Sequence, residues 1–321
     1  MKKNFLITGV AGFIGFSLAL RLLKEGHYIF GLDNLDDYYS IKLKDKRLKE
    51  LRKYRKFKFI NLDIASTSSF ITLKHVKINH IFHFAAQAGV RYSEINPDKY
   101  IKTNILGTIN IFKFASKKKI KSIFFASSSS VYGDSKKFPL KESANLKPKN
   151  IYATTKLINE ITAKSFSKYY NMKIIGLRFF TIFGEWGRPD MLLFKIFKSS
   201  LLNKKLELNN DGNHYRDFTY IEDVIDILCI LINKKFNKAF NIFNICSNNP
   251  QNIKKTVLFF KKNLSSLKIK VIPKNKLDVY KTHGDNTKLL KFIKSYKFTD
   301  YKTAFKKTFK WYVKENKNLI F

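Results

Sequence analysis

The chain has only two cysteines in 321 residues, Cys229 and Cys246. Both lie in apolar segments and neither has a C-x-x-C partner, which excludes a disulfide framework and indicates reduced core residues in a cytoplasmic protein. Its six histidines build no metal centre. His80 and His83 fall three apart in an expected strand, so they point to opposite faces, and no structural metal is expected. Internal repeats and long linkers are also missing. Acidic residues are scarce, 24 against 62 Lys and Arg, for a formal charge of +38. Such an excess ordinarily marks a polyanionic partner. Here the lysine clusters at 117–119, 204–205, 234–235, 261–262 and 306–307 are scattered along the whole chain. No single patch emerges, so the charge reads as a solvated surface and no specific nucleic-acid partner is expected. The densest stretch, "RLKELRKYRKFKF" at 47–59, has leucines at helical spacing and is expected to form a helix with a basic outer face.

Arginine is scarcer still, with eight residues at 21, 47, 52, 55, 91, 178, 188 and 216. In a lysine-rich chain these are candidates for places that need a planar two-pronged donor. At the N-terminus, "MKKN" followed by "FLITGVAGFIGFSLALRLL" superficially resembles a secretory signal. Arg21 and three glycines interrupt the run and no small-residue cleavage site precedes "KEGH", so neither a signal nor a membrane anchor is expected.

What remains is 45% hydrophobic with 15% aromatic residues, enough for a large core. "NFLITG", "HYIFGLD", "FKFINLD", "HIFHFAA", "SIFFASS" and "KIIGLRFF" are strand-like runs separated by helical ones. Alternating strands and helices mean a parallel sheet with right-handed crossovers, the doubly wound α/β (Rossmann) class. Several runs are apolar almost throughout, as strands covered on both faces are. Beyond residue 180 the pattern loosens into shorter pieces, read as a smaller, mixed C-terminal substrate lobe. The expected division is a Rossmann domain over 1–180 with a return segment near 217–246, interleaved with a lobe over 181–321.

"GVAGFIG" sets Gly9, Gly12 and Gly15 at a strand-to-helix turn. The first makes the turn, the second lets backbone approach a pyrophosphate at a helix N-terminus, and the third lets helix and strand pack closely. A dinucleotide site also wants a carboxylate near the end of the second strand for the adenosine ribose. Asp33 stands there, which favours NAD over NADP. Asp63, ending the third strand, is a second candidate at the adenine end or a cap for the next turn. "YATTK" then puts Tyr152 and Lys156 on one helical face. A phenol with pKa about 10 is a poor base at neutral pH. A unit charge about 4 Å away at an effective dielectric near 20 is worth roughly 4 kcal/mol, or about three pKa units, which would bring it near 7. The serines of "FFASSSSVYG" end a sheet strand, where ligands sit in open α/β folds, and read as a ledge that hydrogen-bonds the reacting hydroxyl.

Taken together, "GVAGFIG", "GLDNLDDYY", "HFAAQAGVRYS", "NILGTINI", "SSSSVYG", "YATTK", "LRFFTIFGEWGRPDM" and "YRDFTYIEDV" resemble the extended short-chain dehydrogenase/reductases, in the NAD-dependent epimerase/dehydratase group. Within it the chain is most similar to the UDP-glucuronate 4-epimerases, a likeness that "AAQAGVRYS" and "WGRPDM" carry. The resemblance implies bound NAD, a cytoplasmic homodimer through paired helices, a role in polysaccharide biosynthesis, and 4-epimerisation of a UDP-sugar through a 4-keto intermediate. It implies Tyr152 as acid/base, Lys156 as the ribose and tuning group, and Ser128 as the triad hydroxyl, with Ser129 and Ser130 close alternatives. Gly9, Gly12, Phe13, Ile14, Gly15, Asp33, Asn34, Asp63, Ile64, Phe84, Ala85, Ala86 and Asn104 are the expected cofactor contacts. Arg91, Ser129, Ser130, Thr181, Arg188 and Arg216 are the expected substrate contacts, Arg188 for the sugar carboxylate and Arg216 for the diphosphate; a salt bridge to a local acid is the alternative for each arginine. "KLDVYKTHGDNTKLL" departs from the family pattern, which puts the lid over the nucleotide in doubt. UDP-glucuronate decarboxylases and 4,6-dehydratases carry an acid where Ser130 stands, and neutral UDP-sugar 4-epimerases are disfavoured by "WGRPDM". The rival from another class is a basic nucleic-acid-binding protein on an inactive Rossmann scaffold, which a steep salt dependence of DNA binding would mark.

Overall fold

The computed structural model describes residues 2–66 and 68–315. Met1 of the N-terminal segment and Asn316 of the closing "AFKKTFKWYVKEN" pattern lie outside them. The first half contains β1 (Asn4–Thr8), α1 (Phe13–Lys24), β2 (Tyr28–Asp33), α2 (Ile41–Arg52), β3 (Phe57–Asn61) and β4 (His80–His83). Two single-turn helices follow, α3 (Tyr92–Ile95) and α4 (Pro97–Tyr100), then a π-helical stretch (Ile101–Leu106) that runs into α5 (Gly107–Lys117). Next come β5 (Ser122–Ser128), α6 (Ile151–Tyr169), β6 (Lys173–Phe179), β7 (Thr181–Phe183), α7 (Leu192–Leu201), β8 (Lys205–Asn209) and β9 (Tyr215–Tyr220). The chain continues through α8 (Ile221–Ile232), β10 (Phe240–Ile245), β11 (Pro250–Asn252), α9 (Ile253–Lys261), β12 (Lys268–Ile272), α10 (Thr287–Ile293) and α11 (Tyr301–Glu315).

Seven strands form one parallel sheet in the order β10-β6-β5-β4-β1-β2-β3. Side chains alternate along each strand. Phe5, Ile7, Phe82 and Phe124 therefore enter one core with α1, α2 and α8, whereas Leu6, Ile81, Ile123 and Phe125 enter another with α5 and Ala163 of α6. Both faces are covered, which is why the strands read as apolar throughout. The chain leaves β1 toward β2 and β3, then returns to place β4 on the other side of β1. The carboxyl ends of β1 and β4 thus flank a switch-point crevice, where ligands bind in this architecture.

One sequence expectation is corrected here. The basic stretch 47–59 is not one helix: α2 stops at Arg52, and Phe57 pairs with Ile29 as the first residue of β3. The alternating aromatics Phe57 and Phe59 pack better on a pleated sheet than on a helix. Its outer face is not wholly solvated either, because Arg47 is fully buried.

The lobe is mixed, as expected. β7 and β9 pair parallel, β9 and β11 antiparallel, and β8 pairs parallel with β12. Helix α11 buries Ala304, Phe305, Thr308 and Tyr312, spaced so that one face meets the aromatic cluster of Phe197, Phe218 and Phe260. Strand β10 lies beside β6 at the sheet edge. Among the described residues no helix is long and apolar enough to cross a membrane.

Candidate active site

Above the carboxyl ends of the sheet lies a cavity of about 440 Å³ that runs from the glycine loop to the C-terminal lobe. At its floor Gly9 has φ +71°, and a Cβ there would stand 2.7 Å from the backbone nitrogen of Ala85. Only glycine fits that crossing of two strand ends. Gly12 begins α1 with no side chain over the helix N-terminus, and a Cβ on Gly15 would lie 2.2 Å from the Gly9 carbonyl oxygen. The loop therefore presents bare backbone to the cavity, the form a pyrophosphate needs. Asp33, at the end of β2, accepts the Ala11 N–H at 3.0 Å on Oδ2 and the Leu35 N–H at 2.9 Å on Oδ1. Phe13, Ile14, Asn34, Ile64, Phe84, Ala85 and Ala86 line the same end. Asp63 lines it too and also accepts the Ala65 N–H.

Asn104, expected at a nicotinamide-side or cofactor-loop position, acts through the loop after β4. It is buried in the π-helical stretch and is not among the residues lining the cavity. It accepts the Gln87 N–H (2.8 Å) and donates to the Gln87 carbonyl (3.1 Å) and to Thr155 Oγ1 (3.0 Å). The residue holds the loop after β4 against α6.

Tyr152 and Lys156 line the middle of the cavity with the serine ledge of residues 127–130. Asn150 caps α6 by accepting the Ala153 N–H at 2.8 Å, which fixes the first turn carrying Tyr152. The Ser128 hydroxyl acts on Tyr152 to pull its pKa down, and its Oγ accepts the Ser130 N–H at 3.1 Å. Ser127 points away, donating to Glu160 Oε1. Glu160 also takes a two-pronged ion pair from Arg178 of β6, at 2.9 and 2.8 Å. Tyr152, Lys156 and Glu160 occupy every fourth position of α6, so the Glu160 lock fixes the helix face against the serine strand. The sequence reading missed Glu160, although the spacing was the signal.

The electrostatics differ from the sequence arithmetic. Burial raises the Tyr152 pKa, and the effects that pull it down are the Ser128 hydrogen bond and the Arg188 charge. The Lys156 ammonium donates to the Ala126 carbonyl at 2.9 Å and sits 5.9 Å from the Tyr152 ring centre. Burial also brings its own pKa down to about 7, so its charge is only partly present at neutrality.

At the far end, Arg188 lines the cavity and forks onto Asp190, Nε at 2.9 Å and Nη2 at 2.7 Å. Its Nη1 has no hydrogen-bond partner among the described residues. The Tyr38 hydroxyl donates to the same carboxylate at 3.3 Å. Thr181 stands beside this group at the start of β7. Arg216 lines the cavity with no carboxylate in ion-pair range among the described residues; it donates to the Tyr215 carbonyl at 2.8 Å, and burial lowers its pKa. A desolvated guanidinium of this kind is suited to take an anion. Arg91 is set apart: it does not line the cavity and pairs with Asp278 at 2.9 Å, so its local-acid alternative holds. From the divergent segment, Leu277, Asp278, Val279 and Thr282 line the cavity. Among the described residues no group of three His, Cys, Asp or Glu side chains comes together to hold a metal.

The model of the NAD dependent epimerase/dehydratase family matches residues 5–246. A UDP-glucuronate 4-epimerase of Thermodesulfobacterium geofontis is 41% identical over 224 residues, 68% of this chain and 68% of that protein. UDP-glucuronate 4-epimerase 4 of Arabidopsis thaliana is 35% identical over 332 residues, 96% of this chain and 75% of the relative. Among solved structures, a UDP-glucuronic acid 4-epimerase from Bacillus cereus, in complex with UDP-glucuronic acid and NAD, superposes with a TM-score of 0.91 at 27% identity. It covers 97% of this chain and 99% of its own.

Proposed function

The chain belongs to the NAD-dependent epimerase/dehydratase family, as an NAD-using isomerase of nucleotide sugars, and from that premise we propose that it interconverts UDP-glucuronate and UDP-galacturonate at C4. The observation that carries this reading is one cavity shared by the glycine loop, the Ser128–Tyr152–Lys156 group and two arginines, Arg188 and Arg216. Within it, residues 1–180 with a return near 217–246 carry the cofactor, and residues 181–321 hold the sugar nucleotide.

NAD fits the bare backbone of Gly9 and Gly12 with Asp33 at the ribose position, and when bound it supplies a reversible hydride acceptor. Tyr152 accepts the C4 hydroxyl proton directly or through Ser128, and returns it after the 4-keto sugar has turned its other face. Lys156 anchors the inner wall and adds positive charge below its pKa. Arg216 takes the diphosphate. Arg188, with Ser129, Ser130 and Thr181, holds the sugar carboxylate. A 4-keto uronate is a β-keto acid and loses carbon dioxide readily, so fixing the carboxylate also protects the intermediate. Because Arg188 is already paired with Asp190, it acts by geometry more than by net charge. Ser130, standing where related eliminating enzymes carry an acid, disfavours decarboxylation and dehydration.

The reading includes a cytoplasmic homodimer whose product serves polysaccharide biosynthesis; exposed Ile101, Leu106 and Ile161 on neighbouring helices support the pairing. The test is to incubate purified protein with UDP-glucuronate and follow the anomeric signals by NMR. UDP-galacturonate is the expected product. UDP-xylose, or turnover of UDP-glucose with none of UDP-glucuronate, would overturn the assignment.

A further inference from the structure

Arg47 is fully buried in α2, yet no carboxylate of the described residues lies within ion-pair distance of it. Burying a guanidinium without a counter-charge is costly unless its donors find acceptors. It finds them in two separate loops and on Tyr39, just ahead of α2. Nη1 donates to the Ala11 carbonyl at 2.8 Å and to the Tyr39 hydroxyl at 2.9 Å. Nη2 donates to the Trp186 carbonyl at 2.5 Å and the Gly187 carbonyl at 3.2 Å. Only Nε is left without a partner.

Both loops belong to the site. Ala11 is the middle of the glycine loop, and its N–H is the one Asp33 accepts, so this residue is held from both sides. Trp186 and Gly187 immediately precede Arg188. Trp186 has φ +60°, uncommon for a bulky residue, and its ring packs on Phe16 of α1 and on Trp311 of α11. Tyr38, from the segment leading into α2, reaches Asp190 on the other side of Arg188.

We propose that Arg47 is a positioning residue that ties the glycine loop to the loop carrying Arg188, so that seating the dinucleotide and gripping the sugar carboxylate depend on one another. This rests on the reading of Arg188 as the carboxylate anchor. Lysine has one nitrogen and cannot span both loops, whereas the guanidinium fork does.

The test uses the purified holoenzyme carrying Arg47→Lys. KM for UDP-glucuronate is expected to rise about tenfold with kcat changed less than about threefold, since small displacements of positioning groups act strongly on bound geometry. Affinity for UDP alone stays unchanged, and amide exchange at residues 187–191 becomes faster. A folded Arg47→Lys variant with unchanged KM, even one with a lower Tm, would overturn the proposal. Should that variant not fold, Tyr39→Phe removes one acceptor and leaves Arg47 in place. A two- to threefold rise in KM then supports the link, and no rise sinks it. If the unmodified protein does not act on UDP-glucuronate, the substrate reading fails, while the amide exchange and NAD retention of Arg47→Lys still report on the tie.

Discussion

At the glycine-loop end of the cavity the surface is backbone, set by three glycines within seven residues and one aspartate. At the sugar end it is side chain, brought together from positions as far apart as Tyr38, Thr181, Arg188, Arg216 and Asp278. The first end depends on what is missing, namely Cβ atoms that would collide with Ala85 or with the Gly9 carbonyl. The second depends on charges held in place by other charges, as Arg188 is by Asp190. On the proposed reading, the cofactor end is built from residues 9–86, whereas the substrate end draws on residues spread from 38 to 278. Substitutions should therefore separate the two ends.

The largest effect is expected between the ends. Tyr152→Phe should lower kcat by about 10³-fold, within the range for losing a general acid/base, while NAD stays bound. Product formation and the NAD content of the purified variant check it. Next, Arg216→Met should weaken both UDP and UDP-glucuronate by roughly 10- to 100-fold, the range for losing charge-assisted hydrogen bonds. Arg188→Met should weaken UDP-glucuronate alone. Titration calorimetry with both ligands separates them, and equal losses for UDP would break the division. Gly9→Ala forces a Cβ into the Ala85 backbone at positive φ; a stability loss of about 1–3 kcal/mol with NAD lost on purification is expected, measured by Tm and absorbance.

The smallest effect is a pH slope. Lys156 is held near 7 by burial, while the unfolded chain titrates it near 10.4. Between those values the unfolded state binds the extra proton, so this group's contribution to stability is complete above about 10.4 and is lost as pH falls toward 7. The stability difference between the unmodified protein and Lys156→Met should therefore grow with pH across that window. A flat difference in denaturant titrations would contradict the burial.

Much of the fold was legible because its signals are short-range. The apolar runs gave the strands of the parallel sheet, the glycine spacing gave the turn after β1, and Tyr152 with Lys156 fell on one helical face. What was not legible depends on where chain segments meet. Arg47 looked like part of a basic helical surface, because nothing near it in sequence announces the carbonyls of Trp186 and Gly187. Asn104 sat in a family motif but turned inward to Gln87 and Thr155. The electrostatics of Tyr152 and Lys156 are not legible for a different reason: burial, which spacing along the helix does not reveal, acts on the amine as well as on the phenol.

The most direct measurement of the central claim is turnover of UDP-glucuronate in deuterium oxide, followed by NMR at C4. The account predicts UDP-galacturonate that keeps protium at C4, because that hydrogen leaves and returns without exchanging with water while Tyr152 moves only the hydroxyl proton. Deuterium at C4, or release of carbon dioxide with UDP-xylose as the main product, would contradict it.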